Sequence, residues 1–248
     1  MEEPKVRSNA YQGEQASRYD QQRFTSRAGR LIHARESSLI ESLVGQADGG
    51  GILEVGCGTG RLLIELAQSP NRLLVGIDQS IDMIRQIPNR DSWNAPIARV
   101  VARADNLPFD DHVFDCCYSV RLLNQTESRE YALSVVGEMV RVTRSDGDVL
   151  VEFVNAYRPR MGPGRTPTVR LRPRAVESAL EEAGATVSTV RGAFILGMSA
   201  YMWSPQALLP FIDFVDRFLS KLLPRIASRV YIRARKDSVG GYSSGAQT

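Results

Sequence analysis

The chain has 248 residues, a formal net charge of +3 and 43% hydrophobic residues, enough for one filled core with an elaboration rather than two domains, and a charge too mild to imply a nucleic-acid partner. Three cysteines (Cys57, Cys116 and Cys117) exclude a disulfide framework and, like the rest of the chain, offer no metal site, which fits a reducing cytoplasm. The polar first 24 residues exclude a signal peptide, and no run approaches the roughly 18 apolar residues of a bilayer span.

Residues 1–30 are polar, anchored by Tyr11, Tyr19 and Phe24, and read as a frayed tail or a lid. From Leu31 to Val44 apolar residues recur at helical spacing, ending near Gly45. An alternation follows: a strand over Ile52–Val55, a helix over Arg61–Gln68 stopped by Pro70, a strand over Leu73–Ile77, and a helix over Ile81–Ile87. Strands at Ile97–Ala102 and Val113–Ser119, a helix over Arg129–Val142 and a strand over Asp148–Val154 continue it. Such alternation predicts βαβ units and a parallel sheet covered on both faces.

Asn155–Arg174 breaks the rhythm with six arginines, four prolines and no acid. This basic loop is expected to be solvated, to recognise phosphate or carboxylate, or to dock on an anionic surface. A helix over Arg174–Ala183 stopped by Gly184 and a strand over Thr186–Arg191 come next. Pro205–Leu223 reads as an amphipathic helix or helix pair interrupted at Pro210, and Arg229–Arg235 alternates with period two as a half-buried strand. The apolar insertion at 193–227 is expected to supply core, a greasy acceptor pocket or a dimer face. Residues 236–248 read as a disordered tail.

The chemistry centres on Gly51–Glu65, written GILEVGCGTGRLLIE: a strand, a glycine-rich turn and a helix. Such glycines permit tight turning and let a ligand approach backbone N–H groups at a helix start. A dinucleotide fingerprint needs G-x-G-x-x-G, but Arg61 stands where its third glycine belongs, which disfavours hydride transfer. A P-loop is excluded because no Lys-Ser/Thr pair follows.

Glu54-Val55-Gly56-Cys57-Gly58-Thr59-Gly60 resembles the first motif of class I S-adenosylmethionine-dependent methyltransferases, particularly those of quinone biosynthesis. The resemblance runs motif by motif over residues 50–155 and more loosely to Arg235. It implies a Rossmann-like, seven-stranded, mostly parallel sheet whose last strand is antiparallel, between the fifth and sixth. It also implies S-adenosylmethionine as cofactor, in a single domain over residues 31–235. By resemblance Glu54, Gly56, Gly58 and Gly60 hold the cofactor, and Asp78 in VGIDQSIDMI accepts from its ribose, with Gln79, Ser80 and Met83 near the adenine edge. Asp105 in ARADNLPFDDHVFD contacts the adenine amino group, with Asn106 beside it. FDCCYSVRLLNQ, carrying Ser119, ends where donor and acceptor meet. Ser145-Asp146-Gly147 departs from the family's Pro-Gly-Gly turn, yet Asp-Gly still turns. Plainer readings stand beside these: Glu54 as a satisfied buried carboxylate, Asp78 with Ser80 as a helix cap, Met83 as core.

Methyl transfer needs an acceptor held in line with water kept out, and for some acceptors a base. His33 and His112 read as packing or surface residues. Where many relatives carry histidine after the fourth strand, this chain has Leu122-Leu123-Asn124-Gln125, and Asn124 can orient an acceptor but cannot take its proton. Tyr19, in ASRYDQQRF, resembles the Tyr-Asp of relatives that fold over the cofactor, or is a tail anchor. Arg121 faces an anionic or carbonyl substrate, or caps a helix at the surface. The expected activity is methylation of an O, N or C atom of a small molecule by a cytoplasmic monomer or homodimer, with peripheral membrane contact left open. Nucleic-acid methylation rests on the arginine loop alone, since neither an Asn/Asp-Pro-Pro-Tyr/Phe nor a Pro-Cys motif is present. A catalytically silent cofactor-binding partner subunit is the remaining alternative.

Overall fold

The computed structural model describes residues 11–44, 50–69, 73–89, 94–158 and 169–238. Seven strands form one sheet in the order β3-β2-β1-β4-β5-β7-β6: β1 (Gly51–Val55), β2 (Leu73–Asp78), β3 (Ile97–Val101), β4 (Phe114–Ser119), β5 (Thr143–Val154), β6 (Ala185–Ala193) and β7 (Arg229–Lys236). The first five are mutually parallel, and β7 runs antiparallel between β5 and β6. This is the expected doubly covered Rossmann-like sheet.

The period-two alternation of strand side chains sorts the core into two layers. Leu53, Val55, Cys117, Val149 and Val151 pack with α5 (Arg129–Val142) and α6 (Pro173–Glu182). Ile52, Cys116, Tyr118, Leu150 and Tyr231 pack with α2 (Arg27–Val44), α3 (Arg61–Leu66) and α7 (Met198–Trp203). Central strands buried on both faces explain why β1 and β4 read as nearly continuous apolar runs.

Several boundaries differ from expectation. Residues 13–24 form a helix, α1, rather than a frayed tail, although Ala16 is its one buried residue. The helix after β2, α4, stops at Ile84 instead of Ile87. Pro210 does not interrupt the late helix, α8 (Leu209–Leu222), because it sits in its first turn, where a missing N–H costs nothing. β5 begins five residues early, at Thr143, bending at Asp146, whose φ is 60°. Lys236 belongs to β7 rather than to a tail: its Nζ donates to the carbonyls of Val140, Arg141 and Thr143 at the end of α5. Residues 239–248, like Arg160 and Arg165 of the basic loop, lie outside the described residues. Among the described residues no helix is long and apolar enough to cross a membrane.

Candidate active site

The carboxyl ends of β1, β2 and β4 open into a cavity walled by the glycine turn, the start of α4, residues 120–127 and, from above, α1. Open α/β sheets hold ligands at this edge, where strand order reverses. The chain steps from β1 through β2 to β3 on one side and then crosses back to β4 on the other, so the reversal falls between β1 and β4.

The turn is built on three left-handed glycines, with φ of 76° at Gly56, 56° at Gly58 and 72° at Gly60. A Cβ at Gly56 would lie 2.9 Å from the Leu122 side chain, and one at Gly58 would lie 3.2 Å from Met83 Cε. Glycine is therefore required both for the backbone angle and for room. Four of the turn's amides have partners within the protein. Gly56 and Cys57 N–H both donate to the Ile77 carbonyl, Gly60 N–H to the Cys57 carbonyl, and Gly58 N–H to Asp78 Oδ2 at 2.9 Å. The glycines bring the backbone close to the cavity, and side chains beside the turn add polar groups to its lining.

Two carboxylates flank this turn. Glu54 is next to last in β1 and buried, with Tyr118 Oη donating to its Oε2 at 2.9 Å. Burial pushes its carboxyl up to about 8, against the lowering effect of the Tyr118 hydrogen bond. Asp78 ends β2 and accepts from Gly58 N–H and from Ser80 N–H at 2.8 Å. Burial raises it too, while those amide bonds pull the other way. Each Asp78 oxygen retains lone-pair capacity toward the cavity. Ser80, and not Asp78, is the N-cap of α4, its Oγ accepting from Met83 N–H. Gln79, Ser80 and Met83 all line the wall.

Other sequence-picked residues lie off the wall. Asp105 is held by Arg103 in two parallel bonds, at 2.9 and 2.7 Å, and by Tyr131 Oη at 2.9 Å. The Arg103 hydrogen bonds hold its carboxyl below the usual range, and the Tyr131 ring and Ala102 and Ala104 occupy the lining in its place. Asn106 is exposed. Ser119 is buried, its Oγ donating to the Val55 carbonyl and tying the tips of β4 and β1 together. Asn124 is buried behind the wall, while its neighbour Gln125 lines it. Gly60 shapes the turn without reaching the lining.

Tyr19 does line the cavity, and so does Arg121. Arg121 is neither a surface cap nor a free cation: its guanidinium pairs with Glu36 at 2.7 Å, and its backbone N–H donates to Glu152, at a left-handed φ of 63°. Glu36, on α2, is fully buried and also pairs with Arg61 at 3.1 Å. Burial raises the Glu36 carboxyl, but Arg121 and Arg61 outweigh it and hold the group below the ordinary carboxylate range. The two cavity arginines are thus fixed from behind by one carboxylate. Phe24, at the end of α1, is stacked by both, with guanidinium carbons 4.4 and 5.6 Å from the ring centre. Neither histidine reaches the wall: His33 pairs with Glu65 at 2.9 Å, and His112 is exposed.

Sequence reasoning did not assign site roles to Tyr11, Phe24, Arg61, Gln125 and Tyr131, all on the lining, whereas Asp20 lines it as the second residue of the Tyr-Asp pair. Tyr11 and Phe24 carried a signal as apolar anchors and Gln125 as the end of a motif; Arg61 and Tyr131 carried none. Asp20 Oδ1 is buried on this wall without a hydrogen-bond partner. No residue of the apolar insertion is among the lining residues, so that segment does not supply a greasy pocket here.

Residues 52–147 match the family model described as a methyltransferase domain. The chain is 34% identical over 113 residues to a ubiquinone/menaquinone biosynthesis C-methyltransferase, UbiE, of Geotalea uraniireducens, a match covering 43% of this chain and 47% of that protein. It is 31% identical over 93 residues to the O-methyltransferase rstn1 of Aspergillus nomiae, covering 36% of this chain and 41% of that protein. These alignments span less than half of the curated relatives' own length. In overall fold the chain is similar to magnesium protoporphyrin IX methyltransferase of Synechocystis PCC 6803, solved with bound SAM, at a TM-score of 0.62 and 14% identity, covering 92% of this chain and 94% of that one.

Proposed function

We propose that this chain, whose residues 52–147 match a methyltransferase-domain model, is a class I S-adenosylmethionine-dependent methyltransferase that moves the donor's methyl group to a small-molecule acceptor. The observation that carries the reading is a pair of carboxylates, the buried Glu54 and the half-buried Asp78, on adjacent strands bordering the left-handed Gly56–Gly58–Gly60 turn, inside the matched domain.

The lining fits such a donor. It is a cation, and the cavity's two arginines are held back by Glu36, which they share, whereas Glu54, Asp78 and Asp20 have no ion pair to a basic side chain of their own. Asp78 would hold the ribose hydroxyls, Glu54 the amino-acid end, and Gln79, Met83 and Tyr131 the base. The donor supplies an activated methyl group, which an acceptor takes by in-line displacement. The chain's own contribution is to orient and enclose: Tyr19, Asp20 and Phe24 from α1 and Gln125 from the loop after β4 close over the reacting volume and exclude water. With no histidine on the lining, Asp20 is the residue placed to accept a proton from an acceptor that must lose one. The relatives' acceptors, quinone precursors and O-methylated compounds by their names, support a small, partly apolar acceptor here.

A nucleic-acid substrate has less support. Of the basic loop, Arg158 donates to the Ile195 carbonyl and Arg170 to the Arg158 carbonyl, so both serve the fold. Titration calorimetry with S-adenosylmethionine and its demethylated product tests the proposal. Micromolar binding is expected, weakened at least about 30-fold in Asp78→Ala through loss of charge-assisted hydrogen bonds. Absence of binding at millimolar donor overturns it. Labelled-methyl transfer into lysate metabolite fractions separates an enzyme from a silent binding subunit, which would bind without turnover.

A further inference from the structure

Most of the exposed large apolar side chains among the described residues fall between Met202 and Ile226, away from the cavity. On α8 they form one stripe: Phe211, Phe214, Phe218 and Leu222, spaced three, four and four residues apart and 59–71% exposed. Trp203, at the end of α7, is 80% exposed beside them in sequence. An apolar surface of this kind on a folded chain marks an interaction site.

The stripe cannot turn inward, because the opposite face of α8 is locked. Asp216 is fully buried, accepting from the N–H groups of Phe194 and Leu196 and pairing with Arg35 of α2. Rolling the helix would pull that carboxylate from all three partners.

Charge decides what covers the stripe. The acids of this segment are withdrawn: the Asp216 side chain is 0% exposed and that of Asp213 14%, beside Tyr201 and Arg35. Its cations point outward: Arg217 and Arg225 side chains are 48% and 58% exposed even while they bridge to Asp213 and Glu177 at 2.6 and 2.9 Å, and Lys221 is exposed at the last turn. At the other end, exposed Arg27 and Arg30 share a cleft with Gln206. A second copy would meet this face with the same face, offering apolar side chains but no exposed carboxylate to those cations. An anionic headgroup layer offers both an apolar boundary and negative charge. The 14-residue α8 is about 21 Å long, too short to span a bilayer but suited to lie in its surface.

We infer that the α7–α8 face seats this protein on an anionic lipid surface, with Trp203 and the phenylalanine stripe entering the headgroup boundary and Lys221 meeting the headgroups, flanked by the exposed, partly compensated Arg217 and Arg225. This does not depend on methyl transfer and is tested without donor. The full chain is sedimented with phosphatidylcholine vesicles, with and without phosphatidylglycerol, while tryptophan emission is recorded. The expected result is binding that requires phosphatidylglycerol, with a blue shift missing from Trp203→Phe. Binding should fall at least about tenfold in the double variant Phe214→Ser, Phe218→Ser, and about fivefold in Lys221→Gln. Both sets are surface changes, so circular dichroism should match the parent. Two results overturn it. One is vesicle binding that is absent or indifferent to these substitutions. The other is concentration-dependent dimerisation, abolished by the phenylalanine variant, in a protein that ignores vesicles, which would make a second copy the occupant.

Discussion

At the scale of single residues, two buried glutamates are tuned in opposite directions by what surrounds them. Glu36 sits between two arginines and stays ionised, whereas Glu54 has a phenol for a neighbour and is raised by burial to about 8. The sign of the second effect on stability follows directly. A carboxyl whose folded value lies above its unfolded one binds more protons folded than unfolded between those values, so its contribution is full at low pH and is lost as pH rises from about 4.5 to about 8. Glu54→Gln removes that titration. Denaturant unfolding across pH 5 to 8.5 should show the parent losing roughly 2–4 kcal/mol relative to the variant as pH rises. A constant difference between the two across that range would mean that Glu54 is already ionised in the free protein. A bound cation would offset the same penalty, which is why an acid with this environment suits a positively charged ligand better than a neutral one.

At the scale of elements, a turn glycine and a helix glycine should respond to alanine with opposite signs. At Gly56 the backbone is left-handed and the Cβ would lie 2.9 Å from Leu122. The angle costs about 1–2 kcal/mol and the crowding about as much again. Gly56→Ala should therefore lower unfolding free energy by roughly 2–4 kcal/mol. Gly137, inside α5 with nothing within 4 Å of its Cβ position, should gain roughly 0.5–1 kcal/mol as alanine. Urea unfolding of both variants checks the contrast, and equal effects would refute it. The strand order and this turn were legible because apolar runs, glycine spacing and Pro/Gly stops are local signals. The roles of Asp105, Ser119 and Asn124 were not. A motif places a residue on an element, but whether Asp105 faces a ligand was decided by Arg103 and Tyr131, partners its own motif does not identify as such. The same limit explains the apolar insertion. Its amphipathic period was plain, yet which face turned inward depended on Arg35, far away on α2.

For the molecule as a whole, the question is how a ligand reaches a cavity roofed by its own N-terminal helix. α1 lends four side chains to the lining, Tyr11 from just before it with Tyr19, Asp20 and Phe24, but buries only Ala16. Its ties are few: Gly13 N–H donates to Asp82, Ser80 Oγ to the Tyr11 carbonyl, and Phe24 is stacked by Arg61 and Arg121. The sheet and its two core layers contain none of these contacts. An element with little buried apolar area and exposed hydrogen bonds opens locally at a small fraction of the global unfolding free energy. α1 should therefore open as a lid while the sheet stays folded, and a ligand beneath it should hold it shut. Arg18 and Arg23 lie on α1 and are exposed to trypsin. In the free protein, cleavage there should precede any cut in the core. With donor at 100 times its dissociation constant, the rate should fall by up to about a hundredfold, tracking saturation, because closed and bound states are linked by mass action. Deleting residues 1–24 gives the complementary reading: a melting temperature within a few degrees of the parent, with donor affinity reduced by about tenfold or more from the lost wall. Were the truncated chain to unfold outright, α1 would be part of the core and the cavity would need another door.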